Sequence, residues 1–172
     1  PLRFTTNTYP KEQRRDAWRF ALQRLSLSLN EAQEELYGEL IHFRSGQGIE
    51  FTRLTGTPQG WTIDFSEKPG AFWLALLLDG AGTVTTSEET FSLVDGDLMA
   101  GRSEAAAALR FAGDHRALIV RLPQPLLTSR LKAPLPVHPR RIGTESGSAR
   151  VFAGMLRSLA DTITDITPEQ AA

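Results

Sequence analysis

The sequence holds few residues able to do chemistry, and their spacing argues against most of it. Its three histidines, His42, His115 and His138, stand singly and far apart, and His138 falls in a proline-rich stretch. A catalytic metal needs three or more converging protein ligands, with histidines usually at short spacing, so no metal ligand is assigned. Glu88 and Glu89 occupy the tip between two alternating runs, and Asp95 and Asp97 flank Gly96 as turn formers. There is no cysteine, hence no thiol nucleophile and no disulfide framework. No Gly-x-Ser-x-Gly elbow occurs, and Gly46-Gln47-Gly48 lacks the Lys-Ser or Lys-Thr of a phosphate loop. No catalytic residue and no cofactor are therefore expected.

Binding chemistry remains. Phe43, Trp61, Phe65, Phe72 and Trp73 are candidates to line an apolar cavity, and Arg44, Arg53 or Arg121 to meet a carboxylate or hydroxyl inside it. By strand parity Trp73, Ala75 and Leu77 share one face, as do Trp61, Ile63 and Phe65, while Phe72, Leu74 and Leu76 share the other. Parity alone does not say which face is interior.

The elements that must position these residues separate by period. Pro10 to about Leu25 reads as an amphipathic helix, with Trp18, Ala21, Leu22 and Leu25 on one face and Pro10 at the first helical position. From about Leu36 to Leu122 the period is two. Runs such as ELIHF, IEFTRL, WTIDF, FWLALLL, TVTT, TFSLV, AALRF and ALIVRL are punctuated by Gly, Pro and Asp turns. Many short strands of this kind make a sandwich or barrel. The run Phe72 to Leu78 is apolar on both faces and must be covered on both, by the barrel interior and by a helix or second subunit.

After Pro123 the helical period returns. PQPLLTSRL is a short helix, and KAPLPVHPRR (132–141) is a connector without regular structure. A longer helix follows, from a Ser146 or Ser148 cap, with Phe152, Met155, Leu156, Leu159, Ile163 and Ile166 as its apolar stripe. Thr167, Pro168 and Gln170 form the start signal of a further helix, as expected of the N-terminal part of a larger protein.

At 172 residues and 41% hydrophobic, the chain fills one core. Its 19 Lys and Arg against 20 Asp and Glu give a formal net charge of −1, the wrong sign for a chain that grips phosphate backbones. Its longest apolar run, Ala71 to Leu78, is too short to span a bilayer. With no signal-peptide pattern at the start, a cytoplasmic protein without membrane contact is expected.

In order, RRDAWRFAL, FWLALLLDGAGTV, FSLVDGDLMAG and HRALIVRLPQPLLTSRL resemble the N-terminal domain of AraC-type transcriptional regulators. The likeness runs over nearly the whole chain, departing at MAGRSEAAAA after Asp97-Leu98, where an aspartate and a proline are common in the family. The resemblance implies a mainly β chain with flanking helices. Residues 1–33 would form a helix packed on the barrel, 34–122 a metal-free cupin-like (jelly-roll) barrel, and 123–172 helices for dimerisation and linkage. It further implies a small organic effector, a homodimer formed through Phe152, Met155, Leu156, Leu159 and Ile163, and DNA contact only through a C-terminal helix-turn-helix domain beyond these residues. The alternatives are a small cupin enzyme with carboxylates in an unconventional metal site, and a dimerisation scaffold whose filled barrel binds nothing.

Overall fold

The computed structural model describes residues 1–128, 137–145 and 147–163. Twelve strands are formed: β1 Leu2–Thr5, β2 Leu27–Ala32, β3 Gly38–Arg44, β4 Glu50–Gly56, β5 Gln59–Ile63, β6 Ala71–Asp79, β7 Ala81–Thr85, β8 Thr90–Val94, β9 Leu98–Arg102, β10 Ala107–Phe111, β11 His115–Pro123 and β12 Arg140–Ile142. Among the described residues three α-helices accompany them: α1 Lys11–Gln23, α2 Gln124–Thr128 and α3 Gly147–Thr162. The strands build two facing antiparallel sheets. One has seven strands in the order β1-β3-β4-β11-β6-β9-β12, the other five in the order β2-β5-β10-β7-β8.

Alternation along the strands sorts side chains between the space inside the two sheets and the space outside. The inner set includes Leu40, Leu54, Trp61, Ile63, Trp73, Ala75, Leu77, Val84, Leu93, Met99, Leu109, Phe111, Ala117 and Ile119, closed at one end by Trp18, Ala21 and Leu22 of α1. The outer set on the seven-stranded sheet includes Leu76, Leu78, Leu98, Leu118 and Val120, covered by Ala153, Leu156 and Ala160 of α3. Thus β6 is buried on both faces, as its unbroken apolar run requires, and the helix covering its outer face comes from the same chain.

α1 starts at Lys11, with Pro10 at the cap position rather than in the first turn, and Trp18, Ala21 and Leu22 are its buried face. The segment before residue 34 is not helix alone. β1 pairs with β3, and β2 pairs with β5, so both belong to the barrel sheets. β2 hides its period because the register shifts between Leu29 and Glu31, which breaks the alternation. The expected connector at 132–141 is likewise part strand, since Arg140–Ile142 adds to the edge of the seven-stranded sheet beside β9. The helix-start signal at Thr167–Gln170, Ile166 of the stripe, the Ser146 cap and the end of the PQPLLTSRL helix lie outside the described residues.

Two glycines are demanded by geometry. Gly80, between β6 and β7, has φ +101°, and a Cβ there would lie 2.7 Å from the Asp114 carbonyl oxygen. Gly38 opens β3 directly beneath the Trp18 indole, and a Cβ would come within 2.6 Å of its ring. Gly38→Ala is therefore expected to push α1 off the barrel end and destabilise the protein by roughly 1–3 kcal/mol, the usual penalty of overpacking. Urea denaturation of the variant against the parent chain measures this, and an unchanged midpoint contradicts the packing described.

Candidate functional site

The residues expected to line a cavity fall into two groups. Trp61, Phe65 and Trp73 face the interior among the buried side chains of the barrel. Phe43 and Arg53 face the other way. Phe43 stacks on Phe51 at 4.6 Å and packs with Ile41 and Ile163 on the outer face of the seven-stranded sheet. Arg53 reaches the C-terminal end of α3, where its Nη1 donates to the Ala160 carbonyl oxygen at 2.9 Å. That end of a helix presents unpaired carbonyls and partial negative charge, so the cation anchors it. Both leave the cavity group because β3 and β4 place odd-numbered positions outward, a parity the sequence left unassigned. Arg44 lies exposed at the end of β3.

Arg121 faces inward, on the parity of Ala117 and Ile119. Its Nε and Nη2 donate to the two carboxylate oxygens of Glu50 at 2.8 and 2.6 Å, a bidentate pair with side chains only 12% and 14% exposed. Lys68 Nζ stands 3.8 Å from Glu50 Oε2. His42 is on the neighbouring strand, its Nδ1 2.9 Å from Thr52 Oγ1. Glu50, Arg121, His42 and Thr52, with Leu25, Leu27, Phe65 and Ile119, line a cavity of about 10 Å³. That holds about one water molecule.

The charges of this cluster act on one another. The hydrogen bond from Arg121 holds the Glu50 carboxyl below its ordinary range despite its burial, with Lys68 helping. Burial holds His42 below its ordinary value; Glu50 opposes this, and Lys68 and Arg121 add to it. His42 is therefore neutral at pH 7.

Glu50, His42, Thr52 and Lys68 were missed as site residues. The available signal was parity: Glu50 and Thr52 share the face of Leu54, and His42 that of Leu40, so polar side chains stand where the alternation calls for apolar ones. The donor set does not fit a catalytic metal. Both oxygens of Glu50 are taken by a guanidinium, one imidazole remains, and two cations stand beside it. Among the described residues no group of three or more His, Asp or Glu side chains is arranged to hold a metal ion.

Trp61 and Trp73 are fully buried, and Trp73 donates from its indole to the Arg102 carbonyl oxygen at 3.2 Å. Two larger concavities are present among the described residues. One of about 430 Å³ runs along Phe4, Tyr9, Glu39 and Ile41, and another of about 310 Å³ lies at Gln33, Pro58, Arg110 and Phe111.

The expected interface helix has two faces. Leu156 and Ile163 are buried against the protein's own barrel, Leu159 is half-buried, and Phe152 and Met155 are exposed together with Val151. Ion pairs hold the helix in place, Arg157 to Asp95 at 2.8 Å and Arg116 to Asp161 at 3.3 Å. Just before it, Arg141 pairs with the buried Asp97 at 2.8 Å.

Two facing antiparallel sheets around an aromatic interior, with a helix on the outer face, define a cupin-like β-barrel domain. A family model described as an AraC-binding-like domain matches residues 15–172, and the chain belongs to that family. No curated protein matches the sequence. Among solved structures the chain is similar to the AraC-like transcriptional activator CuxR, with a TM-score of 0.70 and 17% identity, over 99% of this chain and 64% of that one. The chain thus spans just under two thirds of the length of CuxR. It also resembles a cupin superfamily protein from Desulfitobacterium hafniense, with a TM-score of 0.44 and 14% identity over 55% of this chain and 81% of that one. For the Ylba protein of E. coli the TM-score is 0.47, with 12% identity over 70% of this chain and 53% of that one. No helix among the described residues is long and apolar enough to cross a membrane.

Proposed function

We propose that this chain is the regulatory domain of an AraC-type transcriptional regulator, a non-catalytic cytoplasmic module that binds a small organic effector in the barrel and forms a homodimer through α3. DNA binding would belong to a helix-turn-helix domain outside these residues. Family membership supports the regulatory class. The observation that carries the mechanism is the position of α3. Its inner face lies on β6 and β11, whose opposite faces line the barrel interior, so a change of packing inside reaches the helix through a single layer of strands. A ligand that favours one arrangement of these strands shifts the population of helix positions.

The outer face of α3 supplies the proposed dimer contact: Val151, Phe152 and Met155, with Leu159 at its edge. Leu156 and Ile163, already used by the barrel, would hold the helix rather than the partner. Met155 is 65% exposed, so Met155→Arg is expected to change folding stability by no more than about 0.5 kcal/mol while reducing a dimer to monomer. Mass in solution tests this. A folded variant that keeps the dimer mass rules out this face as the interface. The small size of the cavity beside Arg121 favours a second reading, a dimerisation scaffold whose barrel binds nothing. Native mass spectrometry of the purified chain separates the two by the presence or absence of a retained organic molecule.

A further inference from the structure

We propose that the Asp95-Gly96-Asp97 turn between β8 and β9 is a joint that sets the angle of α3 on the barrel. Closed, it holds the first half of the helix down; released, it lets that half swing about the second. This rests on the reading of α3 as the element through which the barrel acts, and it names the contacts that control it.

The two halves of α3 are held differently. The second is anchored by the buried side chains of Leu156, Ala160 and the following Ile163, and by Arg53 and Arg116, which reach the Ala160 carbonyl oxygen and the Asp161 carboxylate. Before Leu156, Ala153 alone among the described helix residues is buried, while Val151, Phe152 and Met155 stand exposed. One alanine removes too little apolar surface from water to fix that half. Its position therefore depends on the chain that leads into it.

That chain is gripped by the turn. Asp97 is only 5% exposed; its Oδ1 accepts from Arg141 Nη2 at 2.8 Å and its Oδ2 from the Val94 amide at 2.9 Å. The Thr144 hydroxyl donates to the Gly96 carbonyl oxygen at 3.1 Å. Arg157, from α3 itself, donates to Asp95 at 2.8 Å. Three consecutive residues thus hold β12, the segment after it and the helix. The Arg157 pair is largely in water and contributes little, whereas a buried carboxylate that loses its cation is costly. Asp97 with Arg141 is accordingly the closing contact.

On its other side the turn is tied to the barrel. The Gly96 amide donates to the Leu77 carbonyl oxygen at 2.8 Å, and the Leu77 amide donates to the Asp97 carbonyl oxygen at 3.0 Å. Leu77 lies on β6 with its side chain in the inner core. A shift of β6 carries the turn with it and alters its hold on Arg141 and Thr144.

The test is hydrogen exchange of the full chain, read by mass spectrometry on peptides from α3, β4 and β11, in Asp97→Asn, Arg141→Ala and the two combined. Each single variant is expected to speed exchange in the first half of α3 about tenfold and to leave β4 and β11 as slow as in the parent chain. The double variant should be no faster than the faster single one, because both remove the same contact. If Asp97→Asn fails to fold, Arg141→Ala and Thr144→Val, neither at a buried position, make the same test. Unchanged exchange in α3, or acceleration spread evenly over helix and strands, overturns the joint whatever the oligomeric state. So do effects that simply add in the double variant. Faster exchange confined to α3, with mass in solution and dimer dissociation unchanged, supports the joint and counts against α3 as the dimer contact.

Discussion

Trp61→Ala is expected to destabilise the protein by about 3–5 kcal/mol, the range for truncating a fully buried tryptophan. The residue sits on β5 at zero exposure, tilted against Phe111 with ring centroids 5.5 Å apart, and its indole makes a long hydrogen bond of 3.5 Å to His115 Nε2. Removing it takes away dispersion contacts with both sheets and leaves a void that neighbours fixed in strands fill poorly. The expected readout is a large fall in urea midpoint with an unchanged slope. The same variant asks whether the barrel interior is adaptable. If it folds, the void is apolar except at His115 Nε2 and should take up benzene or xenon, as dry engineered cavities do. A midpoint close to that of the parent chain would instead mean that the interior collapses readily around a missing indole, and that the packed barrel is one of several arrangements.

That experiment bears on what was legible in the sequence. The two-sheet β architecture was visible in period-two runs and turn residues, and the double burial of β6 was visible in Ala71–Leu78 because a strand apolar on both faces has one physical solution. β2 was not visible, since an irregularity after Leu29 breaks the alternation on which the reading depends. β12 was not visible because three residues after a proline-rich stretch carry no period at all. For the candidate site residues the sequence offered side-chain type, aromatic and basic, but not direction. Phe43 and Arg53 occupy strands of good alternation, and a one-residue parity choice moves each from cavity to helix contact. Glu50 escaped notice for a related reason: a single carboxylate has no spacing signature, and only its pairing with Arg121, 71 positions away, gives it meaning.

Acid sensitivity centred on His115 is the second large effect expected. The ring opens β11 at only 3% exposure, stacked on Phe111 at 3.8 Å between centroids and 3° between planes. Its Nδ1 donates to the Gly113 carbonyl oxygen at 3.4 Å, which fixes the neutral tautomer and leaves Nε2 to accept from Trp61. Burial lowers its pKa to about 4, with the Gly113 carbonyl and the Asp114 carboxylate opposing the shift. In the unfolded chain the ring titrates near 6.5. Above that pH both states are neutral and the full stability is present. As the pH falls below about 6.5 the unfolded chain takes up a proton that the folded chain refuses, so stability drops until about pH 4, where both states are protonated. At about 1.4 kcal/mol per pH unit the loss is roughly 3 kcal/mol. His42, lowered in the same direction by burial, adds to the slope over the upper part of this window. The carboxyl groups held low, Glu50 and Asp97 among them, contribute only once the pH approaches their own unfolded range near 4. Urea midpoints from pH 7.5 to 4.5 should therefore fall steeply in the parent chain. In His115→Gln, which retains a donor and an acceptor but does not titrate, the slope should shrink to what His42 leaves. An identical slope in parent and variant would remove His115 as its source. Imidazole carbon shifts settle the same point residue by residue, because His115 should show no protonation in the folded chain above about pH 5.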